Sequence, residues 1–285
     1  MTLGNAPYKI LFQAKDPSFR IDQLGYYDLY IELAPTFIKI GVMNIKSNKW
    51  IAIEEYEIVS VLLDEFIENH SLLKHKEWKS IHLVYTTEIY TLIPAVLFDK
   101  NNLKSYLSHA SSSISSEDRI MYYEQKNKLT TVFSVPQDIY SQLKKTYPKN
   151  SISWIPHISS TIEYVFSINK EYERKTVFLF VEKNFFSVVI AQGEKILFTN
   201  VFSYSSSNDA VFYIMFACSE LKVNSQADVI YLFGNFSSDL FSKLKTYFQE
   251  VHIGNLSPLL NLSSPLQSMK NGYKYATLLG SYFCK

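Results

Sequence analysis

Side chains that could carry out covalent or metal chemistry are few in this sequence, and they are widely spaced. The six histidines are His70, His75, His82, His109, His157 and His252. His70 and His75 are five residues apart, which places them on different faces of a helix. The HExxH pattern of zinc proteases, the GxSxG nucleophile motif, the Walker loop and the dinucleotide fingerprint do not occur. The sequence therefore predicts no catalytic residues and no metal site.

The two cysteines and the composition narrow the class of protein further. Cys218 lies in an apolar stretch and Cys284 is next to last, so neither has the basic or helix-start setting that activates a thiolate. A net charge of +1 gives no electrostatic reason to expect nucleic acid. The longest apolar run, residues 210–218, is far shorter than the roughly twenty residues of a membrane helix. With no signal peptide at the N-terminus, we expect a cytoplasmic protein without membrane insertion.

Short apolar runs in the first half predict the elements that must position any site. Residues 27–34, 37–42 and 50–53 are punctuated by Pro, Ser and Asn and predict three strands joined by tight turns. Residues 57–73 carry apolar side chains at helical spacing and predict an amphipathic helix. Residues 81–85 predict a buried strand, which completes a strand-strand-strand-helix-strand unit.

The same order of elements returns in the second half. Residues 177–181, 185–191 and 196–202 predict three strands, and residues 229–233 predict a fourth. Between them Ser206 and Asp209 have the spacing of a capping box that opens a helix.

That helix is apolar nearly all round, with Phe212, Tyr213, Met215 and Phe216 in one short stretch. Two interpretations fit this composition, core burial between the halves and a surface for a partner, and we favour core burial.

The two halves match at one constant offset of 148 residues, which predicts an internal duplication. At this offset the matching pairs are Tyr30 with Phe178, Phe37 with Phe185, Val42 with Ile190, Ile53 with Val201, Tyr56 with Tyr204, and Val84 with Leu232. The pairs share hydrophobic type rather than identity. We therefore predict an α/β fold of duplicated βββαβ halves, with a first domain over residues 1–155 and a second over 156–285.

The segment between the halves carries weaker signals. Residues 92–94 suggest a turn and residues 102–108 a helix, and the serine-rich residues 110–117 suggest a mobile loop. Residues 129–135 predict a strand, followed by a helix over residues 136–146 that starts on proline.

This plan resembles the core of the actin, sugar kinase and Hsp70 superfamily, which has a ribonuclease H-like fold in two domains with a central cleft. Residues 30–41, YIELAPTFIKIG, resemble the first phosphate-binding hairpin of that superfamily. From about Phe19 onward the chain resembles an uncharacterised bacterial family, known from Bacteroidetes, with an actin-like ATPase fold. Residues 202–213 and 232–234 resemble the second half of that family. The family brings no settled function with it.

Transferred residue by residue, the nucleotide site of the superfamily is degraded in this chain. The aspartate that positions the metal is Glu32, the glycine that lets amides approach phosphate is Ala34, and Pro35 removes an N–H donor. In the second hairpin, the 148-residue offset places Phe180 at the carboxylate position and Glu182 at the glycine position. These departures argue against ATP hydrolysis, because phosphoryl transfer depends on positioning and electrostatics.

The turn that contacts adenosine in the superfamily, normally Gly-Gly, is Gly234-Asn235 here. If a nucleotide binds, the resemblance assigns its contacts to Glu32, Thr36, Lys39, Glu182, Gly234 and Asn235. Structural interpretations stand beside these assignments. We expect Glu32 and Lys39 to lie in solvent, and Gly234 could serve only a strand-to-helix turn.

Two functions from different classes follow. The first is a protein-binding or assembly scaffold with a degenerate actin-like fold, no cofactor and an exposed aromatic patch drawn from the 21 Tyr and 20 Phe. The second is an ATPase, kinase-like protein or nucleotide sensor that uses the cleft, with Glu32 and Glu182 as the metal carboxylates. We favour the scaffold, with a protein partner; the sequence leaves a homo-oligomer open.

Overall fold

The structure, a computed structural model, describes residues 8–58, 62–110, 114–126, 128–168 and 173–284. The chain divides into two units, each built from two segments. The first unit is Met1–Ser159 with Asn261–Met269, and the second is Ser160–Leu260 with Lys270–Lys285. The predicted division between residues 155 and 156 assumed that each unit is one continuous segment.

The elements of the first part of the chain form two sheets. In order they are β1 (Tyr8–Lys15), β2 (Tyr27–Leu33), β3 (Phe37–Asn44), β4 (Lys49–Ile58), α1 (Leu63–Asn69), β5 (Ser80–Tyr85), β6 (Tyr90–Pro94), α2 (Leu103–Ala110), β7 (Arg119–Glu124), β8 (Leu129–Val135), α3 (Gln137–Thr146), β9 (Ile152–Pro156) and α4 (His157–Ile168). Among the described residues, one sheet has the order β1-β4-β3-β2-β5-β9 and a smaller one the order β6-β8-β7.

The remaining elements form a third sheet with its helices, and a short helix that belongs to the first unit. They are β10 (Lys175–Val181), β11 (Phe185–Gln192), β12 (Lys195–Ser203), α5 (Ser207–Glu220), β13 (Val229–Gly234), α6 (Ser238–Tyr247), β14 (Glu250–Ile253), α7 (Ser264–Gln267) and α8 (Ala276–Gly280). The sheet has the order β12-β11-β10-β13-β14 in the described part of the chain. The predicted α/β architecture of two βββαβ units is confirmed.

The two larger sheets share the pairing register of their first hairpin. Tyr30 lies opposite Gly41, and 148 residues later Phe178 lies opposite Val189. The next hairpin of each sheet even carries the same irregularity, because Ile51 in β4 and Leu197 in β12 are both skipped by the pairing. A bulge therefore lies at corresponding places in β4 and β12, and a bulge bends its strand and increases the local twist.

The constant offset fails beyond the first two strands. Gly41 pairs with Ile53 and Val189 with Thr199, so the counterpart of Ile53 is Thr199 and not Val201. The cause is the connection between the second and third strands, which has four residues in the first unit and two in the second. By the same shift the counterpart of Tyr56, opposite Ile38, is Phe202, opposite Phe186, and not Tyr204.

The last predicted match is wrong by one residue. Val84 pairs with Glu32, and at the equivalent place Phe180 pairs with Phe233, not with Leu232. The segments that join the third and fourth strands differ in length between the two units. This difference brings the offset between the units back to within one residue of 148.

Two local predictions for the first unit need correction, and a third falls partly outside the described residues. Of the described residues in the helix expected over 57–73, only Leu63–Asn69 are α-helical, and residues 59–61 lie outside the described part of the chain. Ile58 belongs to β4 and donates its N–H to Thr36 O at 2.9 Å. The turn expected at residues 92–94 is part of β6, which pairs with β8. The loop expected over residues 110–117 lies partly outside the described residues, since 111–113 are not among them.

The helix α5 begins as predicted, but the side chains that it buries are not the predicted ones. The side chain of Ser206 accepts from the Asp209 N–H, and the Asp209 carboxylate accepts from the Ser206 N–H. These two hydrogen bonds confirm the capping box. Phe212 and Phe216, expected in the core, are 66% and 55% exposed. Ala210 and Ile214 are buried instead. The helix carries apolar side chains on all sides, and the neighbouring elements cover only some of them.

None of the helices in the described part of the chain has the length and apolarity needed to cross a membrane.

His157, the first residue of α4, is buried, and its ring is held by the end of the first sheet. Its Nδ1 accepts from the Thr87 N–H at 3.4 Å. Burial, which outweighs a hydrogen bond to the Tyr85 backbone, lowers the pKa of His157 to about 4. The imidazole is therefore neutral in the folded protein at a pH where the unfolded chain is protonated.

We predict that this histidine makes the protein sensitive to mild acid. Between about pH 6.5 and pH 4 the unfolded state binds a proton that the folded state excludes, so the free energy of unfolding falls as the pH falls. The contribution amounts to about 3 kcal/mol over this window. Urea unfolding of His157→Gln across the window should show a shallower pH slope than the wild type. The variant His109→Gln, at an exposed position, should keep the wild-type slope.

Candidate functional site

The turn between β2 and β3 corresponds to the predicted phosphate-binding hairpin, and it offers few donors. The Ala34 N–H donates to Phe37 O at 3.1 Å, which closes the turn. Pro35 has no N–H, so at most the Thr36 amide remains for an anion. Anion-binding loops depend on several converging amides, and this turn does not supply them.

Glu32 and Lys39, predicted to lie in solvent, are both buried. They are direct partners across β2 and β3, and Lys39 Nζ lies 3.7 Å from Glu32 Oε1. Their side chains are 2% and 0% exposed. The expectation failed because β2 is a central strand covered on both faces, so a charged side chain on either face is removed from water.

A third charged residue continues this row on the next strand. Glu55 of β4 is the cross-strand partner of Lys39 and is 3% exposed. The ammonium of Lys39 also lies over the Phe37 ring, 4.4 Å from its centroid. We call Glu32, Lys39 and Glu55 the charged row. Sequence reasoning missed Glu55, since only the pairing of three strands shows that these positions are neighbours.

The corresponding row of the second unit has no charge. Phe180, Ser187 and Val201 occupy the positions of Glu32, Lys39 and Glu55. Phe180 stacks on Phe233 of β13 with ring centroids 5.0 Å apart. An aromatic contact of Phe180 thus stands where Glu32 of the first unit makes its ionic contact with Lys39.

The structure does bring Glu182 and Asn235 together, in the second unit. Glu182 follows β10, and its side chain accepts from Asn235 Nδ2 at 3.1 Å. The Glu182 N–H donates to Phe185 O at 2.8 Å, as Ala34 does to Phe37 in the first unit. Tyr204 OH donates to the Glu182 carbonyl at 2.6 Å. These contacts keep the carboxylate, on a residue only 6% exposed, within the protein.

Gly234 is explained by backbone packing. Its φ of +83° is unfavourable for other residues, and a Cβ at this position would lie 2.1 Å from Val181 O. The following amide, of Asn235, donates to the same carbonyl at 2.6 Å. The close approach of β13 to β10 thus requires glycine without any ligand.

A second polar cluster in the first unit was not predicted. His70 Nε2 lies 2.9 Å from Tyr56 OH and 3.1 Å from Glu54 Oε2. His70 Nδ1 accepts from the Leu72 and Leu73 amides at 3.1 and 3.2 Å, so the ring proton is on Nε2. Burial raises the pKa of Glu54, but hydrogen bonds from His70 and Tyr56 outweigh it and leave the pKa below its usual value. The buried cluster braces the end of α1 against β4.

The described residues contain no group of three or more His, Cys, Asp or Glu side chains that could hold a metal ion. Cys218 is buried, and burial together with Asp228 raises the pKa of its thiol to about 12. This thiol is therefore protonated and unreactive at neutral pH.

We predict that Gly234→Ala destabilises the protein by about 2–4 kcal/mol, because the new Cβ clashes with β10 and the backbone is strained. The matched control is Gly25→Ala, where the nearest atom to an added Cβ is Glu77 O at 3.9 Å. That change should stay within about 0.5 kcal/mol of the wild type. Chemical denaturation measures both. Wild-type stability in Gly234→Ala would show that this glycine is not needed for packing.

Comparison with known proteins identifies the fold. A Bacteroides thetaiotaomicron protein of unknown function with an actin-like ATPase fold superposes with a TM-score of 0.77 at 20% identity, over 85% of this chain and 95% of that one. The type IV pilus biogenesis complex PilM-PilN gives a TM-score of 0.62 at 12% identity, over 90% of this chain and 98% of the other. These likenesses establish the actin-like fold.

No curated protein matches the chain. Residues 16–251 match the family described as protein of unknown function DUF3822, which is most of the chain. The chain therefore belongs to the DUF3822 family and has an actin-like fold.

Proposed function

We propose that this protein is a binding or assembly scaffold that neither binds nor hydrolyses ATP. The observation that carries the proposal is the charged row. The carboxylate at the metal-positioning place, Glu32, already has a cation beside it, Lys39 Nζ at 3.7 Å, and both are buried. A carboxylate neutralised from within the protein does not fit a magnesium–nucleotide complex, which needs oxygen ligands open to the metal.

The second unit supports the same proposal. Phe180 and its stacking partner Phe233 occupy the place where a second carboxylate would act. Glu182, the nearest carboxylate along the chain, accepts from the Asn235 amide and would repel phosphate. No catalytic step through a nucleotide follows from these contacts, because the turn after β2 lacks converging donors and Phe180 stands where the second carboxylate would act.

The exposed aromatic side chains of α5 support a protein partner. Phe212 and Phe216 lie one helical turn apart and are more than half exposed. Aromatic residues are enriched at the centres of protein interfaces. The PilM-PilN structure, described as a type IV pilus biogenesis complex, supports the proposal by analogy. The net charge of +1 favours a protein over nucleic acid as the partner.

We further propose that the two units arose by duplication of one βββαβ unit and that the protein works in the cytoplasm. The common hairpin register and the bulge at Ile51 and Leu197 support a duplication. On this account the charged row belongs to one copy, and the other copy has the uncharged residues Phe180, Ser187 and Val201 at these positions, so the copies have diverged where a nucleotide would bind.

The proposal predicts that millimolar ATP leaves the melting temperature unchanged, with or without magnesium. A ligand at a hundred times its dissociation constant stabilises the folded state by about 2.7 kcal/mol, or roughly 5–10 °C for a chain of this size. A magnesium-dependent rise of that size would contradict the scaffold and support an ATPase or nucleotide sensor. Loss of that rise in a Glu32→Gln variant that still unfolds cooperatively would then identify Glu32 as the metal carboxylate.

A further inference from the structure

The strand β12 leaves one edge of the second unit's sheet without the usual protection. It is the outermost strand of that sheet in the described part of the chain. Residues 196–203 contain neither proline nor a charged residue. Natural sheets protect an edge with charges, proline or a very short strand, because its free backbone groups pair readily with another strand. The opposite edge, β14, has such protection, since it has four residues and carries Glu250 and His252.

The hydrogen bonds around β12 show which of its backbone groups face outward. The Tyr204 N–H donates to Asn184 O at 2.9 Å, which is on the β11 side of the strand. Pairing with β11 is regular from Phe198 to Ser203, and backbone groups alternate in direction along a strand. The groups of Thr199 and Val201 therefore point away from the sheet. In agreement, the Val201 N–H donates to the side chain of Asn200, at 2.9 Å from Oδ1.

Exposed aromatic side chains adjoin this edge. The Phe202 ring of β12 stacks on Tyr213 of α5 with centroids 5.1 Å apart, and Tyr213 contacts Phe212 with centroids 5.5 Å apart. Phe212 and Phe216, one helical turn apart, are both more than half exposed. A chain of ring contacts thus joins the free strand edge to the uncovered side of α5. We call β12, Phe212 and Phe216 the edge surface.

A second copy of the chain matches the strand edge in length, direction and charge. With Val201 on a twofold axis, antiparallel pairing sets Thr199 of one copy opposite Ser203 of the second copy, so the regular stretch of β12 pairs with itself. No like charges meet within this stretch, because it contains none. Lys195, the first residue of β12, then lies opposite the start of α5 in the other copy, whose first turn contains the exposed Asp209.

Symmetry also favours a second copy over an added peptide. Two edges that pair about a twofold axis cover each other, so the assembly closes as a dimer and no new edge appears. A peptide strand from another protein would instead become the outermost strand and leave its own edge free.

We propose that the protein forms a symmetric dimer in which two β12 strands pair antiparallel about Val201 and join the two sheets into one. The proposal rests on the scaffold function and identifies one partner of the scaffold, a second copy of this chain. Phe212 and Phe216 of both copies flank the joined strands and lose their exposure to water, which adds apolar burial to the backbone hydrogen bonds.

The test is sedimentation velocity of the full-length protein over a dilution series. We expect a dimer that dissociates on dilution. Val201→Pro removes an N–H that faces outward, so the hydrogen bonds between β12 and β11 remain while pairing with the second copy is blocked. This change should raise the dissociation constant of the dimer at least about tenfold. Urea unfolding checks that the variant is folded.

A second pair of changes keeps the test valid if the proline variant folds poorly. Phe212→Ser/Phe216→Ser alters only exposed rings of the edge surface and should also weaken the dimer about tenfold. The matched control is Val96→Ser/Leu97→Ser, at side chains of the first unit that are 88% and 67% exposed. The control should leave the dissociation constant within about twofold of the wild type.

A cysteine at the twofold axis tests the register. Opposed residues of a hydrogen-bonded antiparallel pair have Cα atoms about 5.5 Å apart, which suits a disulfide. Val201→Cys should therefore form a covalent dimer on mild oxidation, seen on a non-reducing gel. Val96→Cys, at an exposed position of the first unit, should stay monomeric on that gel.

A monomer at every concentration would overturn the proposal. A dimer that keeps its affinity in both Val201→Pro and the phenylalanine variant would also overturn it, because the contact would then lie elsewhere. Either result leaves the scaffold function intact, with a different protein as partner, if ATP gives no thermal shift. A magnesium-dependent ATP shift would refute the scaffold function itself, whatever the state of the dimer.

Discussion

The structure depends on the burial of β2, the central strand of the first sheet, on both of its faces. Every residue from Tyr27 to Leu33 is buried, so Glu32 cannot be hydrated where it stands. A buried carboxylate is tolerated only with a compensating partner. The hairpin register supplies one, because it places Lys39 directly opposite Glu32 and Glu55 directly beyond Lys39. The same strand in the second unit has Phe180 at this place and needs no ion.

The general plan could be read from the sequence because short apolar runs and turn residues define its strands. The elements that could not be predicted are those that lack such periodicity. The helix α4 includes Ser159, Ser160 and Thr161, all fully buried, so no polar face marks it as a helix. The offset of 148 residues failed where loop lengths differ, which apolar matching cannot detect.

The candidate site was predicted in part. Sequence reasoning selected Glu182, Gly234 and Asn235, which do lie together, and Glu32 and Lys39, which do pair. It assigned the wrong environment to the last two, since charged residues are usually exposed and only strand pairing reveals the exception. The opposite error occurred at Phe212 and Phe216, which apolar character placed in the core. Which apolar side chains of a helix stay exposed depends on tertiary packing, and a local sequence pattern does not report on that packing.

The most direct test of the account is a double-mutant cycle on the charged row, measured by urea unfolding without nucleotide. Glu32→Gln and Lys39→Met should each cost about 3–5 kcal/mol, and the double variant should cost clearly less than their sum. The exposed pair Arg174 and Glu250, in contact at 3.0 Å, is the control, and the effects of its two single changes should be close to additive. Additive effects at Glu32 and Lys39, within about 0.5 kcal/mol, would contradict the claim that this lysine neutralises the site from within.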